Sequence, residues 1–150
     1  MKNIHVGLIG FGTIGTGVTK LLQQSGHLIE KRLGAKVILK TIADLDITTP
    51  RPVTVEKGLL TSDVNKILDD PEISIVIELI GGYEPARSFV LRAMKNKKHV
   101  ITANKALLAT YGNEIFRVAE EEGVNIGFEA SVGGTIPIIK TIKESLVGNR

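Results

Sequence analysis

Short apolar runs alternate along the chain with longer stretches in which apolar residues recur every three or four positions. Ile4, Val6, Leu8 and Ile9 predict a first strand, and Ile14, Val18, Leu21, Leu22, Ile29 and Leu33 then recur at spacings that suit one face of a helix. Val37 to Ala43 predicts a second strand. Asp44 to Thr61 carries Pro50 and Pro52 and reads mostly as loop, with a short strand near Val53 to Val55, and a helix follows over about Asp63 to Leu68. Ile73 to Ile80 is nearly all apolar, as a central parallel strand covered on both faces requires. Pro85 opens the next helix, where its missing amide costs nothing, and Phe89, Val90, Ala93 and Met94 supply the buried face. His99 to Thr102 is a further strand. Helical spacing resumes from Lys105 to Glu122, with a break expected near Gly112, and Gly123 is placed as a left-handed stop before a strand over Asn125 to Phe128. Gly133, Gly134 and Pro137 introduce a last helix from Ile138 to about Val147. No linker, repeat or low-complexity tract interrupts this order, so the expected fold is α/β with a mostly parallel, doubly wound sheet.

Composition narrows the function. At 150 residues the chain suits one domain, and 43% apolar with 23% charged residues is a globular balance rather than a disordered one. No apolar run approaches the roughly 20 residues of a membrane helix, and Asn3 to Gly10 is short, carries His5 and leads into a glycine turn, so it reads as a strand and not a signal peptide. A cytoplasmic protein with no membrane partner is expected. The absence of cysteine removes disulfides, thiolate metal sites and cysteine nucleophiles. Net charge is only +3, and the densest basic run, Lys95 to Lys98, falls at an expected helix end, where cations meet the carbonyl end of the dipole. With 4% aromatics and no basic stripe, no nucleic-acid partner is expected.

The sharpest motif is Gly10-Phe11-Gly12-Thr13-Ile14-Gly15, placed between the first strand and its helix. Gly10 permits a tight turn, Gly12 lets the backbone approach a pyrophosphate, and Gly15 allows close packing of helix on strand. Unpaired amides at the helix start attract phosphate. In this context the motif points to dinucleotide binding and to a three-layer Rossmann-type domain. Asp44, at the end of the second strand, is the candidate ribose ligand; the competing reading is a solvated loop acid. It lies 29 residues beyond Gly15 against about 20 in the usual fingerprint, so the first helix must be long. An acid there favours a free ribose hydroxyl, while Lys40 and Arg51 are near enough in sequence to offset it, which leaves NADP and NAD both open.

Three further segments follow in order: Glu78-Leu79-Ile80-Gly81-Gly82-Tyr83-Glu84-Pro85-Ala86, Thr102-Ala103-Asn104-Lys105-Ala106-Leu107-Leu108-Ala109, and Phe128-Glu129-Ala130-Ser131-Val132-Gly133-Gly134-Thr135-Ile136-Pro137. Together with the glycine turn they resemble the homoserine dehydrogenases, over the whole chain. The resemblance implies reduction of aspartate 4-semialdehyde to homoserine with NADPH or NADH, a step toward threonine, methionine and isoleucine. It implies that Lys105 lies near the nicotinamide and takes part in catalysis. A lysine in a helix's first turn opposes the helix dipole, which independently calls for a functional reason; the competing reading is an exposed surface lysine. The resemblance further implies a monovalent cation, commonly sodium, on the main-chain oxygens of Glu129, Val132, Gly134 and Ile136. From the residues alone, Glu129 reads instead as a cap for the next helix. Thr135 stands where relatives often have a third glycine, and Ala43 where they commonly have a basic residue that meets a 2′-phosphate. Gly81 and Gly82 would let the backbone approach the nicotinamide ribose, and Glu84 is expected to cap the helix after it.

Homoserine dehydrogenases are more than twice this length. The resemblance therefore implies a fragment, residues 1–150, that binds the dinucleotide but lacks the substrate domain, any regulatory domain and the segments that form the usual homodimer. An independent nucleotide-binding or redox-sensing module is the alternative.

Overall fold

The computed structural model describes residues 2–145. Its strands and helices are β1 (Lys2–Ile9), α1 (Thr13–Leu33), β2 (Ala35–Ala43), β3 (Leu60–Thr61), α2 (Asn65–Leu68), β4 (Ile73–Glu78), α3 (Ala86–Lys95), β5 (His99–Thr102), α4 (Lys105–Glu122), β6 (Ile126–Gly127), α5 (Glu129–Val132) and α6 (Ile138–Lys140). A π-helical turn, Thr141–Ser145, follows. All neighbouring strands are parallel. The sheet order is β3-β2-β1-β4-β5-β6, so the winding reverses between β1 and β4, the place where open α/β sheets leave a crevice for ligands. The three-layer Rossmann-type expectation holds.

Two apolar clusters sandwich the sheet. Ile73, Val76 and Val100 pack with Ile67 and Leu68 of α2, Val90 and Met94 of α3, and Leu107 and Ile115 of α4. On the other side Leu8, Phe11 and Ile42 pack against Leu39, Val53, Val55 and Leu60. Val53 to Val55 thus contributes side chains to the core but no strand. The ladder instead begins at Leu60, after Leu59 O has accepted the Ile42 amide at 2.8 Å.

Several expectations shift for physical reasons. The residues α1 buries are Gly15, Thr16 and Thr19, whereas Ile14 and Leu21 are 60% and 57% exposed. Close packing at the glycine turn admits only small side chains at the start of α1, while Val18, Leu22 and Ile29 further along are half-buried. β4 stops at Glu78 because the Glu78 carboxylate takes the amides of Ile80 and Gly81 out of the ladder. α4 runs unbroken through Gly112, which is buried against Phe116; tertiary packing outweighs the roughly 1 kcal/mol propensity cost of a helical glycine. The Asn125 to Phe128 strand shrinks to Ile126–Gly127, and Glu129 starts a short helix rather than ending a strand. The last helix is short and then widens into the π turn; Val147 lies outside the described residues. The basic run is structural in an unexpected way. Lys97 donates to the carbonyl of Glu122, the end of α4 and not of α3, and Lys98 is buried, donating to the carbonyls of Asp70 and Ile73.

Candidate dinucleotide site

The glycine turn leaves β1 at Gly10, whose φ of +101° suits glycine alone, and a Cβ there would stand 2.9 Å from the backbone of Leu79. A Cβ on Gly15 would lie 2.0 Å from the carbonyl oxygen of Gly10, which enforces the close crossing of helix and strand. Gly12 is different: a Cβ there meets nothing within 4 Å. Its lack of a side chain serves open space, as expected where a ligand approaches the backbone. Gly12 caps α1 without a side-chain acceptor, and the first turn of α1 has no acidic residue. Among the described residues the amides of Thr13, Ile14 and Gly15 have no hydrogen-bond partner in the chain, so they and the positive end of a 21-residue helix face the opening. Thr13 and Ile14 are exposed there, but Phe11 is not: its ring is buried beside Leu8 and Ile42, and only its backbone borders the turn.

Asp44 braces this turn. Its Oδ2 accepts the Phe11 amide at 2.5 Å and its Oδ1 the Asp46 amide at 2.8 Å, so it is half-buried and ordered rather than a solvated loop acid. Each oxygen retains a lone pair for a hydroxyl. Lys40 and Arg51, level with each other in sequence reasoning, separate in space. Lys40 pairs with Asp70 at 2.7 Å and with Glu72, which hold its ammonium above the ordinary lysine range, so it does not offset Asp44. Arg51 donates Nε to Phe11 O at 2.9 Å and pairs with Asp46 at 3.2 Å, and it borders the opening beside Gly12 and Thr13. Asp46 is itself held well below the usual carboxylate range, first by the Thr49 backbone amide and then by Thr48 and Arg51. A cavity of about 400 Å³ lies along the carboxyl ends of β1, β2 and β4, lined by Ala43, Asp44, Leu45, Val64, Ile80 and Phe89 among others. Val64 and Phe89 give this cavity an apolar wall, with the exposed Leu45 at its rim, a role that the helical spacing of Phe89 does not signal.

Beyond β4, Gly81 and Gly82 have φ of +73° and +72° and are exposed, so the turn presents bare backbone. Glu84 caps α3 as expected, accepting from the Ser88 hydroxyl at 2.6 Å and amide at 3.3 Å. Glu78 is fully buried, with Oε1 accepting from Ile80 (2.9 Å) and Gly81 (3.2 Å) and Oε2 from the Thr102 hydroxyl at 2.6 Å. The same Thr102 oxygen accepts the Asn104 amide at 2.9 Å. Asn104 in turn caps α4 at Leu107 and donates Nδ2 to Gly82 O at 2.7 Å. Lys105 is the first residue of α4, exposed at the carboxyl edge of β5, and its ammonium has no ion pair or hydrogen bond among the described residues. The visible trace of this network in the sequence is a carboxylate at the end of a largely apolar strand.

In the last loop Glu129 acts as the cap that its position suggested, its carboxylate accepting the amides of Ile139 (2.9 Å) and Lys140 (3.3 Å). Its main-chain oxygen accepts from Gly133 and that of Ile136 from Ile138; Val132 and Ile136 are exposed, and Gly134 has φ +59°. No cluster of three or more His, Cys, Asp or Glu side chains suited to a metal occurs among the described residues, and no described helix is long and apolar enough to cross a membrane.

The family profile described as homoserine dehydrogenase, NAD binding domain, matches residues 10–129. The chain belongs to that family. It is 43% identical over 150 residues to the homoserine dehydrogenase of Bacillus subtilis, covering all of this chain and 35% of that protein. To the Synechocystis homoserine dehydrogenase it is 45% identical over 147 residues, 98% of this chain and 34% of the relative. The crystal structure of a homoserine dehydrogenase from Thiobacillus denitrificans superposes with a TM-score of 0.89 and 46% identity, over 100% of this chain and 35% of that one. The chain thus spans about a third of the length of these relatives. Membership in the NAD-binding family of oxidoreductases favours the dehydrogenase reading over a stand-alone sensing module.

Proposed function

We propose that residues 1–150 form the dinucleotide-binding domain of an enzyme that interconverts L-homoserine and L-aspartate 4-semialdehyde with NAD(P)(H), in the cytoplasm and as a homodimer when full length. The observation that carries this reading is the open Gly12 with its free helix-start amides at the β1/β4 switch point, in a chain of this family. Gly10 to Gly15 would hold the pyrophosphate and Asp44 the adenosine ribose, with the cavity walled by Val64 and Phe89 and rimmed by Leu45 taking the adenine. Gly81 would border the nicotinamide ribose. A bound nicotinamide supplies or accepts the hydride. Lys105 would polarise the oxygen on which charge changes, as an unpaired cation at that edge can. The relatives' greater length supports assigning the remaining substrate contacts to segments beyond this chain, so the chain by itself binds cofactor without turnover.

A monovalent cation at Glu129, Val132, Gly134 and Ile136 belongs to the same proposal. With the Glu129 carboxylate committed to helix amides, such an ion would rest on main-chain oxygens, which suit a hard cation. Thermal unfolding in sodium chloride against N-methylglucamine chloride of equal strength tests it: a sodium-specific stabilisation is expected, and equal curves would count against it.

Fluorescence titration with NADPH and NADH, repeated on Gly12→Val and Lys105→Ala, tests the main reading. Saturable binding lost in Gly12→Val is expected, and weaker binding in Lys105→Ala. A folded chain that binds neither dinucleotide would refute it.

A further inference from the structure

We propose that Glu78, Thr102 and Asn104 act as one positioning unit that fixes the Gly81–Gly82 turn against the start of α4 and so aims Lys105 at a bound dinucleotide; this rests on the reading above. Their hydrogen bonds form a closed circuit. Glu78 holds the amides of Ile80 and Gly81, Asn104 holds the carbonyl of Gly82, and Thr102 joins the two by donating to Glu78 and accepting from Asn104. The circuit ties the turn after β4 to the turn after β5, and the flanking residues Gly81 and Lys105 are the ones the site needs. Ser131 adds the loop after β6 by donating to Thr102 O at 2.8 Å. No buried side-chain polar atom among the described residues lacks a partner, so the circuit is fully satisfied.

Burying a carboxylate is costly, and well-packed apolar residues commonly replace buried polar groups without loss of stability. The largely apolar pattern of β4 therefore does not by itself call for an acid at position 78, and what the acid adds is its hold on the turn that follows. What an apolar residue cannot do is hold two carboxyl-edge turns in one mutual geometry. Satisfied networks of this kind rigidify what they connect. Because Asn104 is also the cap of α4, the direction in which that helix begins, and with it Lys105, is set by the same bonds.

Amide hydrogen exchange and NADH titration of the 150-residue chain test the proposal together. In the unmodified chain the amides of Ile80, Gly81, Asn104 and Leu107 should open as one unit, with protection agreeing within about threefold. Thr102→Val keeps the shape but removes the hydroxyl, and should speed exchange at Ile80 and Gly81, on the neighbouring turn, about tenfold. It should weaken NADH about tenfold while leaving α1 amides unchanged, and Thr102→Ser should restore both. Independent opening of the four amides overturns the unit, and this comparison alone decides if Thr102→Val does not fold. Faster exchange with unaltered NADH affinity overturns the positioning role. Failure of the unmodified chain to bind NADH instead overturns the dinucleotide reading, which the exchange data would show separately from the state of the circuit.

Discussion

Gly12 and Gly15 stand three residues apart in one motif yet answer to different demands. Gly15→Ala drives a methyl group into the Gly10 carbonyl 2.0 Å away, so it should cost about 1–3 kcal/mol of folding stability by overpacking, read from denaturant midpoints. Gly12→Ala meets open space at an ordinary φ of −73° and should leave the midpoint unchanged while weakening NADH in a fluorescence titration. A stability loss at Gly12 would mean that the turn is built for packing alone. The motif was legible in the sequence because glycine spacing is local. The separate duties of Gly12 and Gly15 were legible with it; the atoms that each glycine makes room for were not, since the Leu79 and Gly10 backbone atoms are brought there by the sheet. Asp44 is a similar case: its place at the end of β2 was readable, but its grip on the Phe11 amide spans 33 residues.

Among the elements, α3 and the β4–β5 edge show how charged groups fasten a parallel sheet. Glu84 at the start of α3 is held below its ordinary value of 4.5, chiefly by the Ser88 hydroxyl. A depressed carboxyl pKa means that its capping contribution is present above pH 4.5 and fades as pH falls through the lower folded value. Thermal melts between about pH 3 and 6 should therefore show a smaller acid loss in Glu84→Gln than in the unmodified chain, and parallel pH curves would refute the assignment. Lys98 is 3% exposed, and burial pushes its ammonium below the ordinary lysine range. The sign is opposite in consequence: the burial cost is felt in full while both folded and unfolded states are protonated, and is relieved as pH rises through the folded value toward 10.5. Lys98→Met removes the donor shared by Asp70 O and Ile73 O, and should cost about 1–3 kcal/mol at neutral pH by denaturant unfolding. Strand and helix extents were largely readable from periodicity. The residues that the first turns of α1 bury were not, because close approach at Gly15 selects Thr16 and Thr19 there over Ile14.

For the whole molecule, dinucleotide binding and stability are linked. NADH at about a hundred times its Kd should stabilise the chain by about 2.7 kcal/mol, a rise in Tm of roughly 5–10 °C by calorimetry. The same addition should leave Gly12→Val unmoved. A rise of equal size in that variant would place the ligand away from the glycine turn.

Alternating hydrophobic periods, the glycine motif and the segments 78–86, 102–109 and 128–137 are local patterns, and the sequence by itself determined from them the α/β class, the phosphate-binding turn and the family resemblance. The partners of those residues came only with tertiary structure. Lys40 and Arg51 were indistinguishable on paper, yet the sheet carries one to Asp70 and Glu72 and the other to the Phe11 carbonyl. Glu78, Thr102 and Asn104 are separated by up to 26 residues and meet because parallel strands end side by side, which brings the turns that follow them to one edge. Hydrogen bonds between those turns depend on register and burial, quantities that no local pattern encodes.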